Sequence, residues 1–301
     1  MKILVLGASF TGEYLADHFP EHEVWFVSRR AAELRAAGRR VIDFAPEDST
    51  SATAALANAP RFVAIMDTVP AIADERPGAD AAAILDPPYL ALVTALRQID
   101  PALPFIHVSS TSVFATPDSA ADGETPVALD ETSATEPEND RGLRRLRLEQ
   151  RVRALRPDAC ILRSTGIYGP GRSIAIQFRA GNFRRTGSGN QYVSRIHVHD
   201  LTRLFLAMAL LKRADPGDAR LRLVHGVDER PTANREVFLF LERELGVTVP
   251  GNWRDAPASG RIIRSLYAKN LLGGRYRYPT YVEGFRACLE SESESDATGG
   301  L

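Results

Sequence analysis

The chain has 301 residues, 44% of them hydrophobic and 25% charged, with a formal net charge of -1. That length supports one large α/β domain or two smaller ones, and the balanced charge excludes the basic bias of a nucleic-acid or membrane-surface binder. No apolar run approaches the roughly 20 residues of a membrane span, and Cys160 and Cys288, far apart in sequence, read as reduced thiols of a cytoplasmic protein.

Apolar and β-branched runs predict strands at Ile3–Leu6, Val24–Val27, Val41–Phe44, Phe62–Met66, Phe105–Val108 and Ala159–Leu162. Amphipathic stretches between them predict helices at Gly12–His18, Ala31–Ala37, Ser51–Ala57, Ala83–Arg97 and Asn139–Leu155. Strands with so little polar alternation are buried on both faces, as in a parallel sheet covered by helices. The βαβα order therefore predicts an α/β fold, a Rossmann-type doubly wound parallel sheet with right-handed crossovers. The Ala-, Asp- and Pro-rich Pro70–Pro88 and the acidic Ala115–Asp140 read as loops at the carboxyl edge of that sheet, where ligands bind.

The second half is less regular. Gly166–Arg195, rich in Gly and Arg, reads as irregular structure. A helix is expected at Asp200–Leu211, a strand at Leu221–His225, and helices of a small C-terminal substrate subdomain at Asn234–Leu245, Ser265–Leu272 and Tyr281–Leu289. The division expected is a dinucleotide-binding domain over residues 1–165, to which 198–225 return, and a lid over 166–197 and 226–290. Residues 291–301, rich in Ser, Glu and Gly, read as a disordered tail. His197 and His199 alternate as metal ligands on a strand do, but no companion ligand beyond Asp200 accompanies them, so no metal is expected.

Gly7-Ala8-Ser9-Phe10-Thr11-Gly12 follows the first strand and opens the first helix. It matches the dinucleotide pattern G-x-G-x-x-G with Ser9 in the second glycine position. The first glycine permits the turn, the last lets helix and strand pack closely, and the pyrophosphate sits on the helix N-terminus. Ser9 is small, and its hydroxyl is in reach of a phosphate oxygen. Cofactor contacts are expected from Gly7, Ser9, Phe10, Thr11 and Gly12. The second strand ends in Val27-Ser28-Arg29-Arg30, without the carboxylate that binds ribose hydroxyls in NAD sites. A serine and two guanidinium groups suit a 2′-phosphate, so Ser28, Arg29 and Arg30 point to NADP(H) over NAD. Asp43, at the end of the third strand, is grouped with these contacts.

Five landmarks carry a family resemblance: Gly7–Gly12, Val108–Phe114 (VSSTSVF), Leu162–Arg172 (LRSTGIYGPGR), Arg195–Leu201 (RIHVHDL) and Arg277–Gly284 (RYPTYVEG). Through them nearly the whole chain resembles the extended short-chain dehydrogenase/reductase superfamily of the NAD-dependent epimerase/dehydratase type, in an atypical branch. The resemblance implies a Ser or Thr, a Tyr and a Lys four residues after it as the proton-transfer machinery. Ser110 falls at the serine position. The Tyr-x-x-x-Lys frame corresponds to Pro137–Glu149, in which Gly142 and Glu149 are kept, Arg141 stands for the tyrosine and Arg145 for the lysine.

Arg141 keeps its proton at physiological pH and cannot replace a phenol as donor and acceptor. Arg145 can still bind ribose or phosphate. Tyr168 is the replacement candidate for the proton donor, while Phe114 occupies a position that is commonly Tyr in relatives and offers no proton. Ser109, Thr165 and Ile167 are expected at the cofactor. Arg172, Arg179, Arg184, Arg185 and Arg195 precede or open the Arg195–Leu201 landmark, and Arg172, Arg185 and Arg195 are expected to bind an anionic or nucleotide-sugar substrate. Asp130 and Glu131 match an acidic pair expected to order their loop. Three functions stay open: an NADP-dependent oxidoreductase or epimerase-like enzyme with non-standard catalytic residues, an NADP(H)-binding sensor that has lost catalysis, or an enzyme of a different class, such as an isomerase or dehydratase, that uses bound cofactor transiently. The partner expected is a small-molecule substrate, with neither nucleic acid nor membrane. The resemblance leaves a monomer or a homodimer built on helices Ala83–Arg97 and Asn139–Leu155.

Overall fold

A computed structural model describes residues 1–43, 54, 56, 58–71, 87–116 and 126–298. In chain order the first half contains β1 (Lys2–Leu6), α1 (Phe10–His18), β2 (Glu23–Val27), α2 (Ala31–Ala36), β3 (Arg40–Val41), β4 (Ala64–Asp67), α3 (Pro87–Ile99), β5 (Phe105–Ser110), a 3₁₀ turn (Thr111–Val113), β6 (Ala128–Leu129), α4 (Asp140–Leu155) and β7 (Cys160–Ser164). The second half contains β8 (Gly166–Tyr168), α5 (Ile174–Arg179), β9 (Gln191–Val193), β10 (Arg195–His197), α6 (Val198–Ala214), β11 (Leu223–Gly226), β12 (Thr232–Ala233), α7 (Asn234–Leu245), β13 (Ser259–Gly260), β14 (Ile262–Ile263), α8 (Ala268–Leu271) and α9 (Tyr281–Thr298).

The main sheet is parallel and has seven strands in the order β3-β2-β1-β4-β5-β7-β11. The order reverses direction between β1 and β4, which makes their carboxyl ends the switch point where doubly wound sheets bind ligands. Register places Leu6 opposite both Val27 and Asp67. The Gly7 turn, Ser28 and Thr68 therefore leave the sheet at one edge. Ile3–Leu6 are fully buried, as a central strand covered on both faces requires.

Contacts divide the chain into two compact units. The first comprises Met1–Ala115, Ala134–Arg163 and Thr202–Val224; the second comprises Thr116–Ser133, Ser164–Leu201 and His225–Leu301. In the first unit, Leu92, Val93 and Leu96 of α3 and Leu148 and Val152 of α4 lie in one core with Leu4, Leu6, Ile65 and Phe105 of the sheet. Each such side chain contributes about 1.5–3 kcal/mol by leaving water. In the second unit, Tyr168, Phe178, Val237, Phe240, Leu241, Tyr281, Phe285 and Cys288 form a separate core.

Several sequence expectations change, among them the helix expected at Ser265–Leu272, confined to α8, and the third strand, which ends at Val41. Gly166–Arg195 is not irregular throughout, since it holds β8, α5 and β9. These short elements are fixed by long-range pairing of β8 with β10 and of β9 with β12 and β13, which local pattern does not reveal. The stretch read as a tail from Ser291 continues α9 as far as Thr298. Glutamates are good helix formers, and propagation from a docked first turn is inexpensive. The strand expected at Leu221–His225 begins at Leu223, after a 3₁₀ turn over Ala219–Arg222. Most of the helix expected at Ser51–Ala57, Phe44 of the third strand, residues 83–86 of the next helix, and 72–86 and 117–125 of the two edge loops lie outside the described residues. Among the described residues no helix is long and apolar enough to cross a membrane.

Candidate functional site

The glycine turn is built on steric need. Gly7 has φ +93°, a Cβ there would lie 3.1 Å from Thr68 Oγ1, and its N–H donates to the Val27 carbonyl at 2.8 Å. A Cβ on Gly12 would stand 2.7 Å from Val5 Cγ1 and 3.3 Å from the Phe26 ring, so α1 presses directly on the sheet. Ser9 is the N-cap, with Oγ accepting from Gly12 N at 3.1 Å. Its hydroxyl, expected at a phosphate, is thus engaged in capping, as serine at this helix position prefers. Phe10 and Thr11 occupy the first turn, whose amides have no carbonyl partner within the helix.

At the end of β2, Ser28 Oγ accepts from Arg30 N at 3.1 Å. Arg29 and Arg30 are exposed, and Arg30 Nε donates to Glu33 at 2.8 Å. Asp43 is exposed and ion-paired with Arg35, so its carboxylate is engaged away from the sheet edge.

Strand alternation separates Ser109 from Ser110. Ser109 is buried and donates to Glu149 Oε1 at 2.6 Å. Its expected cofactor contact is replaced by this internal bond, because its face of β5 is covered by α4. Ser110 stays half-buried, its Oγ accepting from Ser112 N at 3.2 Å. Glu149 also receives Arg163 Nε at 3.0 Å and Nη2 at 2.8 Å, and the Arg163 guanidinium lies over the Phe114 ring. Phe114, where relatives carry tyrosine, is therefore core.

Helix α4 starts at the Asn139 cap, whose side chain accepts from Gly142 N at 2.9 Å. A Cβ on Gly142 would stand 2.3 Å from the Ser112 carbonyl oxygen. This contact fixes the register of α4 against the turn that follows Ser110. Arg141 and Arg145, four residues apart, share one helix face. Arg141 is exposed. Arg145 is half-buried, and burial and then the charge of Arg141 lower its pKa, opposed by Asp67, Glu149 and Tyr89.

A group that sequence reading missed lies beside it. Asp67, fully buried at the end of β4, accepts from Tyr89 Oη at 2.5 Å and meets His107 Nδ1 at 2.6 Å. His107 Nε2 has no partner among the described residues. The available signal was a carboxylate closing a buried strand and a histidine inside the apolar run Phe105–Val108, since buried polar groups require partners.

In the second unit the expected substrate and donor residues divide. Arg185 is tied to Glu242 by two 2.7 Å bonds, so its charge is paired within the unit, which counts against it as a substrate contact. Thr165 is buried and donates its hydroxyl to the Gly226 carbonyl at 2.9 Å, so its expected cofactor contact is likewise spent internally. Tyr168 is buried edge-on to His197, and a Cβ on Gly284 would fall 2.0 Å from its Oη. Burial holds its pKa well above the ordinary phenol value, and Oη has no partner among the described residues. That is a packing role, and it counts against Tyr168 as proton donor. Ile167, Arg172 and Arg195 line a cavity of about 750 Å³; Arg172 is exposed and Arg195 is buried.

Asp228 is 4% exposed, and burial pushes its carboxyl up to about 8, against the opposing pull of the Arg230 amide and Arg195 and with help from Glu283 and Asp200. The folded chain therefore holds a proton that the unfolded chain releases near pH 4, and stability from this group is lost as pH rises toward about 8. Asp228→Asn is expected to flatten that slope, so that its melting temperature exceeds wild type more at pH 8 than at pH 5. Parallel pH profiles would show instead that Asp228 is ionised and paired.

The fold is shared with solved structures. A functionally unknown conserved protein from Silicibacter pomeroyi DSS superposes with a TM-score of 0.71 at 23% identity, over 96% of this chain and 98% of that one. UDP-glucose 4-epimerase from Thermotoga maritima, solved with UDP-glucose, gives 0.73 at 18% identity over 98% and 99%. UDP-glucuronic acid 4-epimerase from Bacillus cereus, solved with NAD, gives 0.70 at 17% identity over 98% and 99%. At these identities the likeness is one of fold. No curated protein matches the sequence. A family model does match, over residues 3–220, and it spans the glycine turn, the Ser110 turn and α4: the chain belongs to the NAD dependent epimerase/dehydratase family.

Proposed function

We propose that the chain is an NADP(H)-binding oxidoreductase or epimerase-like enzyme that acts on a small anionic substrate, with Arg141 and Arg145 where relatives carry Tyr and Lys. The observation that supports this is the close fit of Gly142 against the Ser112 carbonyl, which ties the start of α4, with Arg141 and Arg145, to the turn that follows Ser110. The first turn of α1 would hold the pyrophosphate, and the Gly7 cradle, which a Cβ would fill, suits its close approach. Ser28, Arg29 and Arg30 would take the 2′-phosphate, and Arg145 the ribose or a phosphate oxygen. A bound nicotinamide supplies hydride chemistry. Ser110 donates its hydroxyl to the substrate oxygen. The Arg141 guanidinium stabilises charge developing on that oxygen, and the proton comes from water or from the substrate itself. Within the second unit, Arg195 is the proposed anion contact of that unit's own cavity.

Two measurements test this reading. NADPH is expected to bind more tightly than NADH, and Arg29→Ala to weaken NADPH by about tenfold or more, the worth of one charge-assisted hydrogen bond, without changing NADH. Incubation with anionic carbonyl compounds should consume NADPH absorbance. Tight NADPH binding with no turnover of any of them would favour the sensor reading, which the packed Tyr168 phenol supports. Tighter NADH binding would overturn the NADP assignment.

A further inference from the structure

The cavity of the second unit combines two features that point to a particular ligand chemistry. Its walls are Ile167, Ile174, Phe183, Val193, Phe238 and Phe285. Its volume, about 750 Å³, lies within the range of small-molecule sites. Set into these walls is Arg195, 9% exposed, with Nη1 donating to the Val193 carbonyl at 3.0 Å and Nη2 to Asn234 Oδ1 at 2.9 Å. Both partners are neutral oxygens, so they orient the guanidinium without cancelling its charge. The opposing charge it feels most is that of Asp228, whose Oδ2 finds no hydrogen-bond partner among the described residues and whose carboxyl burial pushes up to about 8, which weakens it as a counter-ion. A buried cation left uncompensated is costly, and the cost is relieved by an anion that brings its own apolar body into the cavity.

We propose that this cavity binds a monocarboxylate carrying an aromatic or branched apolar body, with the carboxylate on Arg195 and the body among Phe183, Phe238 and Phe285. This rests on the reading of the chain as a binder of small anionic substrates and narrows it. A nucleoside diphosphate is the less suitable guest. Its pyrophosphate carries two or more charges and its sugar many hydroxyls, whereas of the two guanidinium groups among the described lining residues only Arg195 is buried, Arg172 being exposed, and the amide oxygen of Asn234 is already taken.

The test uses the full chain in titration calorimetry with 3-phenylpropionate, acetate, 3-phenylpropionamide and UDP-glucose, with NADPH measured separately. The expected result is binding of 3-phenylpropionate at least tenfold tighter than acetate or the amide, and tighter than UDP-glucose. Arg195→Met should abolish the preference of acid over amide while NADPH affinity stays unchanged. Should that variant misfold, Phe238→Ala on the half-buried wall gives an independent reading: phenylpropionate weakens severalfold and acetate does not. Equal affinity for acid and amide, or displacement of phenylpropionate by UDP-glucose at lower concentration, would overturn the proposal. Loss of NADPH binding with Arg195-dependent phenylpropionate binding intact would remove the cofactor reading and leave the cavity assignment standing.

Discussion

Glu149→Gln is expected to lower the stability of the first unit by about 3–5 kcal/mol, the usual result of removing one partner of a buried ion pair. Glu149 and Arg163 have side chains 2% and 5% exposed, and the carboxylate carries three bonds from Arg163 and one from Ser109. Glutamine keeps the shape but withdraws the charge, which leaves Arg163 as a buried cation held by its contact with the Phe114 ring and a weakened hydrogen bond. The companion variant, Glu149→Leu with Arg163→Met, removes both charges and should recover most of the loss, because the pair's attraction and its desolvation nearly offset. Urea midpoints of the two variants against wild type decide the matter. A loss below about 1 kcal/mol in the single variant would mean that water or another carboxylate reaches Arg163.

Gly142→Ala runs against an ordinary expectation. Glycine inside a helix costs roughly 0.5–1 kcal/mol relative to alanine, so the change should stabilise α4. Here the new methyl would lie 2.3 Å from the Ser112 carbonyl oxygen and 2.9 Å from Pro137 Cβ. Backbone cannot yield as a side-chain tip does, and overpacking of this kind costs about 1–3 kcal/mol. The net sign is therefore destabilising. The start of α4 must also lift from the turn that follows Ser110 and carry Arg141 and Arg145 with it, so NADPH affinity should fall together with melting temperature. A raised melting temperature with unchanged NADPH affinity would show that the register of α4 does not depend on this glycine.

The parts of the site that were legible in the sequence are those where residue type records a steric demand. Gly12 and Gly142 are glycine because a Cβ would collide, Gly7 because its φ of +93° disfavours a side chain, and each was found by its place in a pattern. The buried strands were legible for the same reason: apolar runs can lie only where both faces are covered. Polar residues were less so, because their type does not say which group satisfies them. Arg185 reads as an anion binder until Glu242, 57 positions later, is found beside it. Ser109 and Thr165 were assigned to a ligand, yet their hydroxyls meet Glu149 and Gly226, 40 and 61 positions away. Asp67, Tyr89 and His107 form one group from three elements, with spacings of 22 and 40 that no local pattern encodes.

The Glu149–Arg163 pair also bears on the order in which the first unit can assemble. Its members come from α4 and β7, 14 positions apart, and Ser109 joins them from β5. Either charge buried alone would be costly, so docking α4 and β7 together is the favoured route. The short chain between them makes that closure entropically inexpensive. A helix–strand hairpin joined by its own charges is then expected to gain stability before β5 packs on it, with Ser109 completing the group; amides of β5 protected before those of α4 in pulsed hydrogen exchange would contradict that order.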